Sequence, residues 1–434
     1  MADPLLDWLG QISLFEKLGT TCFALAVLHT FSVKRFQSLA LRHPEGSVLE
    51  NLYHLLGEVE VVFGLWAGVL VFFLMAIQGK STTISYLESL NFTEPLFVFV
   101  VMVIASTKPV LWLATTLLNR LSGVLPLSSH RSFYLSTLIL GPLLGSFITE
   151  PAAMTVTALV LKDRFFDSPY SLKFKYATLA VLFVNISIGG VLTAFAAPPV
   201  LMVAAKWQWT NAFMLTHFGW KAVLAVLGNV LLVMGIFWRE FDKIPTGKVS
   251  QDIVKSPFWL VGLHLFFLML VVGASHHPIF FIGIFLFFLG VVGISAEYQT
   301  ELKLKESLLV GFFLGGLVVL GTFQAWWLKP LLLQWSPKAL FLGSTFLTGF
   351  VDNAALTYLG SQVPGISAET QFALVAGAVS GGGLTVIANA PNPAGYSILR
   401  NSFGREGISP LFLLVSALFP TLLAMACFWF LPAW

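Results

Sequence analysis

The sequence predicts an all-α, polytopic membrane protein built as two inverted-topology repeats, and three observations carry that expectation. Of its 434 residues, 57% are hydrophobic and 10% charged, with a mean hydropathy of +0.86. Most apolar runs reach the ~20 residues that a helix needs to cross hydrocarbon, and none shows the alternating ~10-residue pattern of a barrel strand. A polar motif set in an apolar run also occurs twice. Phe147-Ile148-Thr149-Glu150-Pro151-Ala152-Ala153-Met154-Thr155 in the first half matches Gly349-Phe350-Val351-Asp352-Asn353-Ala354-Ala355-Leu356-Thr357 in the second, with acid, Ala-Ala and Thr in register.

Taken in order, about ten transmembrane helices read at about 15–33, 53–78, 94–118, 175–205, 212–237, 257–273, 279–295, 307–328, 371–399 and 409–431. Two further runs, about 133–161 and 339–362, contain the repeated acids and carry Gly or Pro near their middles and edges. The excess of Lys and Arg on cytoplasmic loops decides how these two runs sit. If both are re-entrant hairpins, the basic clusters around 34–42, 162–175, 239–255 and 303–305 share one face, and both termini lie outside the cytoplasm. If both spanned the bilayer, the clusters flanking 133–161 would fall on opposite faces. The hairpin reading gives an N-terminal helix and cytoplasmic loop (1–50), a first repeat (51–237), a polar cytoplasmic linker (238–256) and a second repeat (257–434).

A second repeated element supports this. Gly189-Gly190-Val191-Leu192-Thr193-Ala194-Phe195-Ala196-Ala197-Pro198-Pro199 aligns with Gly381-Gly382-Gly383-Leu384-Thr385-Val386-Ile387-Ala388-Asn389-Ala390-Pro391. Gly and Pro at that density break a membrane helix. The runs 175–205 and 371–399 are therefore expected to be broken helices, whose non-helical backbone lines a cavity near the midplane.

Other patterns exclude function classes. Met1 to Leu9 contains Asp3 and Asp7 with no basic region before the first apolar run, so no cleavable leader is expected. Cys22 and Cys427 lie far apart in apolar runs and read as small hydrophobes. No phosphate loop, nucleophile elbow or Cys/His metal pattern occurs, which leaves ATP-driven transport and enzymology without a residue basis. No cofactor and no nucleic-acid partner are expected; the partners are the lipid bilayer, monovalent cations and protons.

A polar hairpin tip followed by a helix broken at Gly-Gly, Thr and Pro, present twice and inverted, resembles the ion transporter superfamily. That group includes arsenite permeases and divalent-anion/sodium symporters, and from about Tyr53 onward the chain is most similar to its sodium/proton antiporter family. The resemblance implies cation sites formed by the hairpin tips and the helix breaks, here Thr149 and Glu150, Asp352 and Asn353, Thr193 and Thr385, and Asn389 beside Asn392. It also implies a homodimer in a bacterial inner membrane. Dicarboxylate symporters carry Ser-Asn-Thr at both tips, whereas this chain has Thr149-Glu150-Pro151 and Val351-Asp352-Asn353. An acid at each tip repels a carboxylate substrate but takes Na⁺ or H⁺.

These residues suit that chemistry. Hard monovalent cations prefer carboxylate, amide, hydroxyl and carbonyl oxygens. A carboxylate withdrawn from water at the midplane becomes one for which a proton and sodium compete, and competition for one site is antiport. The expected function is therefore exchange of Na⁺ or Li⁺ for H⁺. Asp352-Asn353 reads as the fuller Na⁺ site and Glu150 as the more proton-linked acid. Asp352 and Glu150 could alternatively be helix caps, and Thr193 and Thr385 could bond a carbonyl one turn back.

The remaining candidates are a proton relay or charge partner. His54 and Glu58 are four apart and share a helical face, Glu60 points elsewhere, and Lys108 precedes Pro109 in the third helix, where it could pair with Glu58, Glu60 or Asp352. Lys221, beside Trp220 with His217 one turn before it, reads as snorkelling to an interface. Two rival functions remain: a Na⁺- or H⁺-coupled symporter holding an anion on Lys108 or Lys221, and a membrane enzyme using His54, Glu58 and Glu60.

Overall fold

A computed structural model describes residues 12–123, 126–242, 255–404 and 407–432. Within them every regular element is helical. Most of the linker read at 238–256 lies outside the described residues, as do both chain ends. Six helices among the described residues are long and apolar enough to cross a bilayer, and seven if the bent pair Lys80–Ser89 and Thr93–Ala105 counts as one span. Phe258–Gly273 and Pro278–Ile294 are apolar but shorter.

Several runs read as single helices are divided. The run 94–118 forms Thr93–Ala105 and Lys108–Ser122, because Pro109 has no N–H for the carbonyl of Ala105 and its ring collides with it. The run 53–78 is interrupted at Gly57, between Val48–Leu56 and Val59–Gln78. Between the runs 53–78 and 94–118 a further helix, Lys80–Ser89, forms, and the run 307–328 extends over Leu304–Gln334.

The chain divides into two compact units. One comprises 1–99, 305–336 and 358–368; the other comprises 100–304, 337–357 and 369–434. The first unit is held by polar stitches between apolar helices. Gln37 Nε2 donates to the carbonyl of Gly57 (2.8 Å), which satisfies the interrupted backbone there. His29 Nε2 meets the carbonyl of Leu56 at 2.9 Å, and Trp66 donates to His29 Nδ1. Tyr86 gives its hydroxyl to the carbonyl of Val319 (2.7 Å).

The second unit contains the first repeated pair and both acid-bearing turns. Its first hairpin consists of Ser129–Ile148 and Glu150–Leu161. Gly141 lies against Thr157 and Gly145 against Ala153, a register in which one arm ascends as the other descends. The first broken helix, Leu172–Gly189 and Pro198–Trp207, runs parallel to the first arm. Tyr134 meets Thr178 (3.1 Å), Asn185 meets Leu138 (3.2 Å) and Ser146 meets Gly189 (2.7 Å). The second hairpin, Pro337–Thr348 and Asn353–Ser361, stands in the same relation to the second broken helix, Ala368–Gly381 and Asn392–Leu399. There Gly377 packs on Phe341 and Ser344, and Gly381 on Thr345 and Thr348.

The two broken helices cross antiparallel. Ser187 Oγ donates to the carbonyl of Val379 (2.8 Å), and Gly383 lies against the backbone of Val184. The alignment of Gly189-Gly190 with Gly381-Gly382 pairs Ser187 with Val379, so equivalent positions of the two halves meet at the crossing.

Candidate functional site

The first tip turns on one residue. Thr149 joins the hairpin arms at φ 71° and ψ 151°, a region of backbone space that essentially only glycine occupies without strain. The turn delivers Glu150 to the start of the second arm, where its relative exposure is 0%. Its Oε2 accepts from Asn389 Nδ2 at 2.8 Å. Its Oε1 is buried and has no hydrogen-bond donor among the described residues. Gly190, at the first helix break, forms the wall beside it: a Cβ there would lie 2.5 Å from Oε1 and 2.6 Å from Cγ.

The tip is fastened to the break that flanks it. Ser146 Oγ donates to the carbonyl of Gly189 and accepts from the amide of Leu192 (2.9 Å), while Thr193 Oγ1 donates to the carbonyl of Ser146 (2.7 Å). The second half repeats this, with Thr385 Oγ1 donating to the carbonyl of Gly349 (3.0 Å). Neither threonine spends its hydroxyl on its own helix; each ties a break to a hairpin.

At the second tip, Asp352 Oδ1 accepts from the amides of Ala354 (2.8 Å) and Ala355 (3.2 Å), which makes it the N-cap of Asn353–Ser361. Asn353 is fully buried. Its amide donates to the carbonyl of Ala388 (3.0 Å) and its Nδ2 to Ser187 Oγ (3.3 Å). Asn392 donates from Nδ2 to the carbonyls of Gly382 (2.7 Å) and Thr385 (2.8 Å). The tips and breaks therefore interlock crosswise: Asn389 of the second break reaches the first tip, and Asn353 of the second tip reaches the first broken helix.

The donors and acceptors do not balance. Each of Asn353, Asn389 and Asn392 spends its NH₂ on a protein acceptor. The oxygens Thr149 Oγ1, Glu150 Oε1, Asn353 Oδ1, Asn389 Oδ1 and Asn392 Oδ1 are buried without a donor among the described residues. An excess of carboxylate, amide and hydroxyl oxygen suits a hard cation or a proton. The ion pairs among the described residues are His54–Glu50, Arg131–Asp242 and Lys162–Asp167, and Glu150 belongs to none of them. A buried carboxylate with no counter-charge costs several kcal/mol, so it needs a proton or a cation.

The other charged candidates sit at or near helix ends. His54 and Glu58 do not share a helical face, because the helix ends at Leu56. His54 Nε2 meets Glu50 instead (3.3 Å), and Glu58 precedes Val59–Gln78 without a side-chain cap bond. Glu60 lies in the first turn of that helix. Lys108 heads Lys108–Ser122 and joins none of the ion pairs. Lys221 lies in the first turn of Trp220–Ile236. It is 3% exposed, donates to the carbonyl of Phe428 (3.3 Å) and sits 4.7 Å from the Phe372 ring centroid. Sequence reasoning missed Ser146, Ser187 and Gly190. Ser146 could have been found, since the repeated motif aligns it with another hydroxyl, Thr348.

Residues 14–431 match the family described as "Putative Na+/H+ antiporter". No curated protein matches the chain. Among solved structures it is similar to the YdaH transporter of Alcanivorax borkumensis, whose crystal structure is described as revealing an unusual topology. The two are 16% identical over 85% of this chain and 96% of that one, with a TM-score of 0.48.

Proposed function

The chain belongs to this antiporter family, and from that premise we propose that it exchanges Na⁺ or Li⁺ for H⁺ at Glu150, near the midplane between two inverted halves, driven by the ion gradients alone. The observation that carries the reading is the state of the carboxyl group. It is fully buried, one oxygen is held by Asn389 and the other has no donor among the described residues. A proton on Oε1 neutralises the group. A cation neutralises it equally, and the oxygens of Thr149 and Asn389 are the nearest candidates in sequence and bonding to join its shell. Because one carboxylate cannot carry both ions, binding of one releases the other.

This reading places the exchanging ion at Glu150, with Asp352 holding the second tip in shape and Asn353, Asn392, Thr193 and Thr385 supporting the two breaks. Anion symport draws less support, since the Lys221 ammonium is engaged with Phe428 and Phe372. The test is Na⁺-dependent proton movement in proteoliposomes. Glu150→Gln should abolish it and Glu150→Asp should weaken it, whereas a Glu150→Gln protein that still exchanges at the wild-type rate refutes the assignment. The homodimer belongs to the same reading, and native mass spectrometry should show a species of twice the chain mass; a monomer alone would remove it.

A further inference from the structure

The first hairpin contains a defect that another helix repairs. Pro142 lies inside Ser129–Ile148 and has no N–H to offer the carbonyl of Leu138, one turn earlier. Asn185, fully buried in the first broken helix, supplies the missing donor. Its Nδ2 reaches the carbonyl of Leu138 (3.2 Å) and that of Val226 (3.3 Å) in the helix Asn211–Ile236. Its own oxygen accepts from Asn229 Nδ2 (2.9 Å), in the same helix as Val226. Two amides thus join three helices about one turn from Gly189, which itself packs on the backbone of Pro142.

We propose that the Asn185–Asn229 pair positions Glu150. Gly190 forms the wall against which the carboxylate rests, its neighbour Gly189 packs on Pro142 of the first arm, and the pair fixes the depth of that arm against the break. It therefore sets where Glu150 stands relative to Asn389. The inference rests on Glu150 being the exchanging acid. The second half makes the argument sharper. The repeated motifs align Pro142 with Ser344 and Asn185 with Gly377. Ser344 keeps its own N–H, and Gly377 lies directly on Ser344 and Phe341. The amide pair accompanies the proline, and both occur in the half that carries Glu150.

The test is a double-mutant cycle on the full-length protein in proteoliposomes, reading the apparent Na⁺ KM and the maximal rate separately. Asn185→Ala should raise the KM at least about fivefold, since it strands a buried carbonyl and displaces the tip, while changing the maximal rate less than about twofold. Pro142→Ala returns a backbone donor to Leu138. In that background Asn185→Ala should raise the KM less than about twofold. An equal factor in both backgrounds, or an unchanged KM in Asn185→Ala, overturns the proposal. If Asn185→Ala does not fold, Asn229→Ala takes its place: a raised KM upholds the brace and an unchanged KM removes it. Glu150→Gln is measured alongside. Exchange by that variant defeats the Glu150 assignment itself, whereas its silence together with an unaltered Asn185→Ala defeats only the brace.

Discussion

Gly190→Ala adds one methyl group to the wall of the Glu150 pocket and removes nothing. Gly190 has φ −77°, which alanine adopts freely, so any effect is steric. The new Cβ would stand 2.5 Å from Oε1, 2.6 Å from Cγ and 3.0 Å from Cδ, where ordinary contact needs about 3.5 Å. Cγ is not a flexible end, so the side chain must move by about 1 Å, which stretches the 2.8 Å bond to Asn389 beyond hydrogen-bond range. Overpacking costs about 1–3 kcal/mol, and losing a charge-assisted hydrogen bond about 1.5–3 kcal/mol. Part of this falls equally on the ion-free state. About 1.4 kcal/mol left on ion binding weakens it tenfold, so we expect the apparent Na⁺ KM to rise roughly tenfold or more. The assay is dequenching of a pH-sensitive dye in proteoliposomes across a Na⁺ series. Gly235→Ala, in a helix of the same unit with nothing within 4 Å of the new Cβ, is the matched control. A Gly190→Ala KM within twofold of the wild type refutes the pocket geometry.

Asp352 tests the division of labour between the acids. Asn is as good an N-cap as Asp, so Asp352→Asn should retain stability and most exchange, whereas Asp352→Ala should lose about 1 kcal/mol in thermal unfolding; loss of exchange in Asp352→Asn would make the charge itself essential. Thr149→Gly relieves a backbone cost of about 1–3 kcal/mol against about 0.5–1 kcal/mol of additional chain entropy lost on folding. It should melt at a higher temperature while exchanging more slowly, and a lowered melting temperature would show that Thr149 is not strained.

The breaks and the turns at the two acids were legible because their cause is local. Gly189-Gly190 with Pro198-Pro199, and Gly381-Gly382-Gly383 with Pro391, disfavour a continuous helix, and a buried acid announces itself against apolar neighbours. The break before Lys108 was equally local, since Pro109 forbids the bond to Ala105, but the apolar run on either side masked it. Gly57 was hidden in the same way, and with it the separation of His54 from Glu58. The partnership of Glu150 with Asn389 could not be read at all. It joins residues 239 positions apart, and nothing in their local sequence distinguishes it from a pairing of Asn389 with Asp352. The cap at Asp352 was visible as an alternative, and the choice between the acids required knowing which oxygens were already engaged.

The crossing of the two broken helices acts as a fulcrum. At Gly383 and Val184 the helices touch backbone to backbone, with no side chain on one side to cushion a change of spacing. Such a joint tolerates a change of angle far better than a change of separation, as crossed rods do. Since the two chain segments run antiparallel there, a scissoring turn about that point would swing the first tip and the second tip in opposite senses.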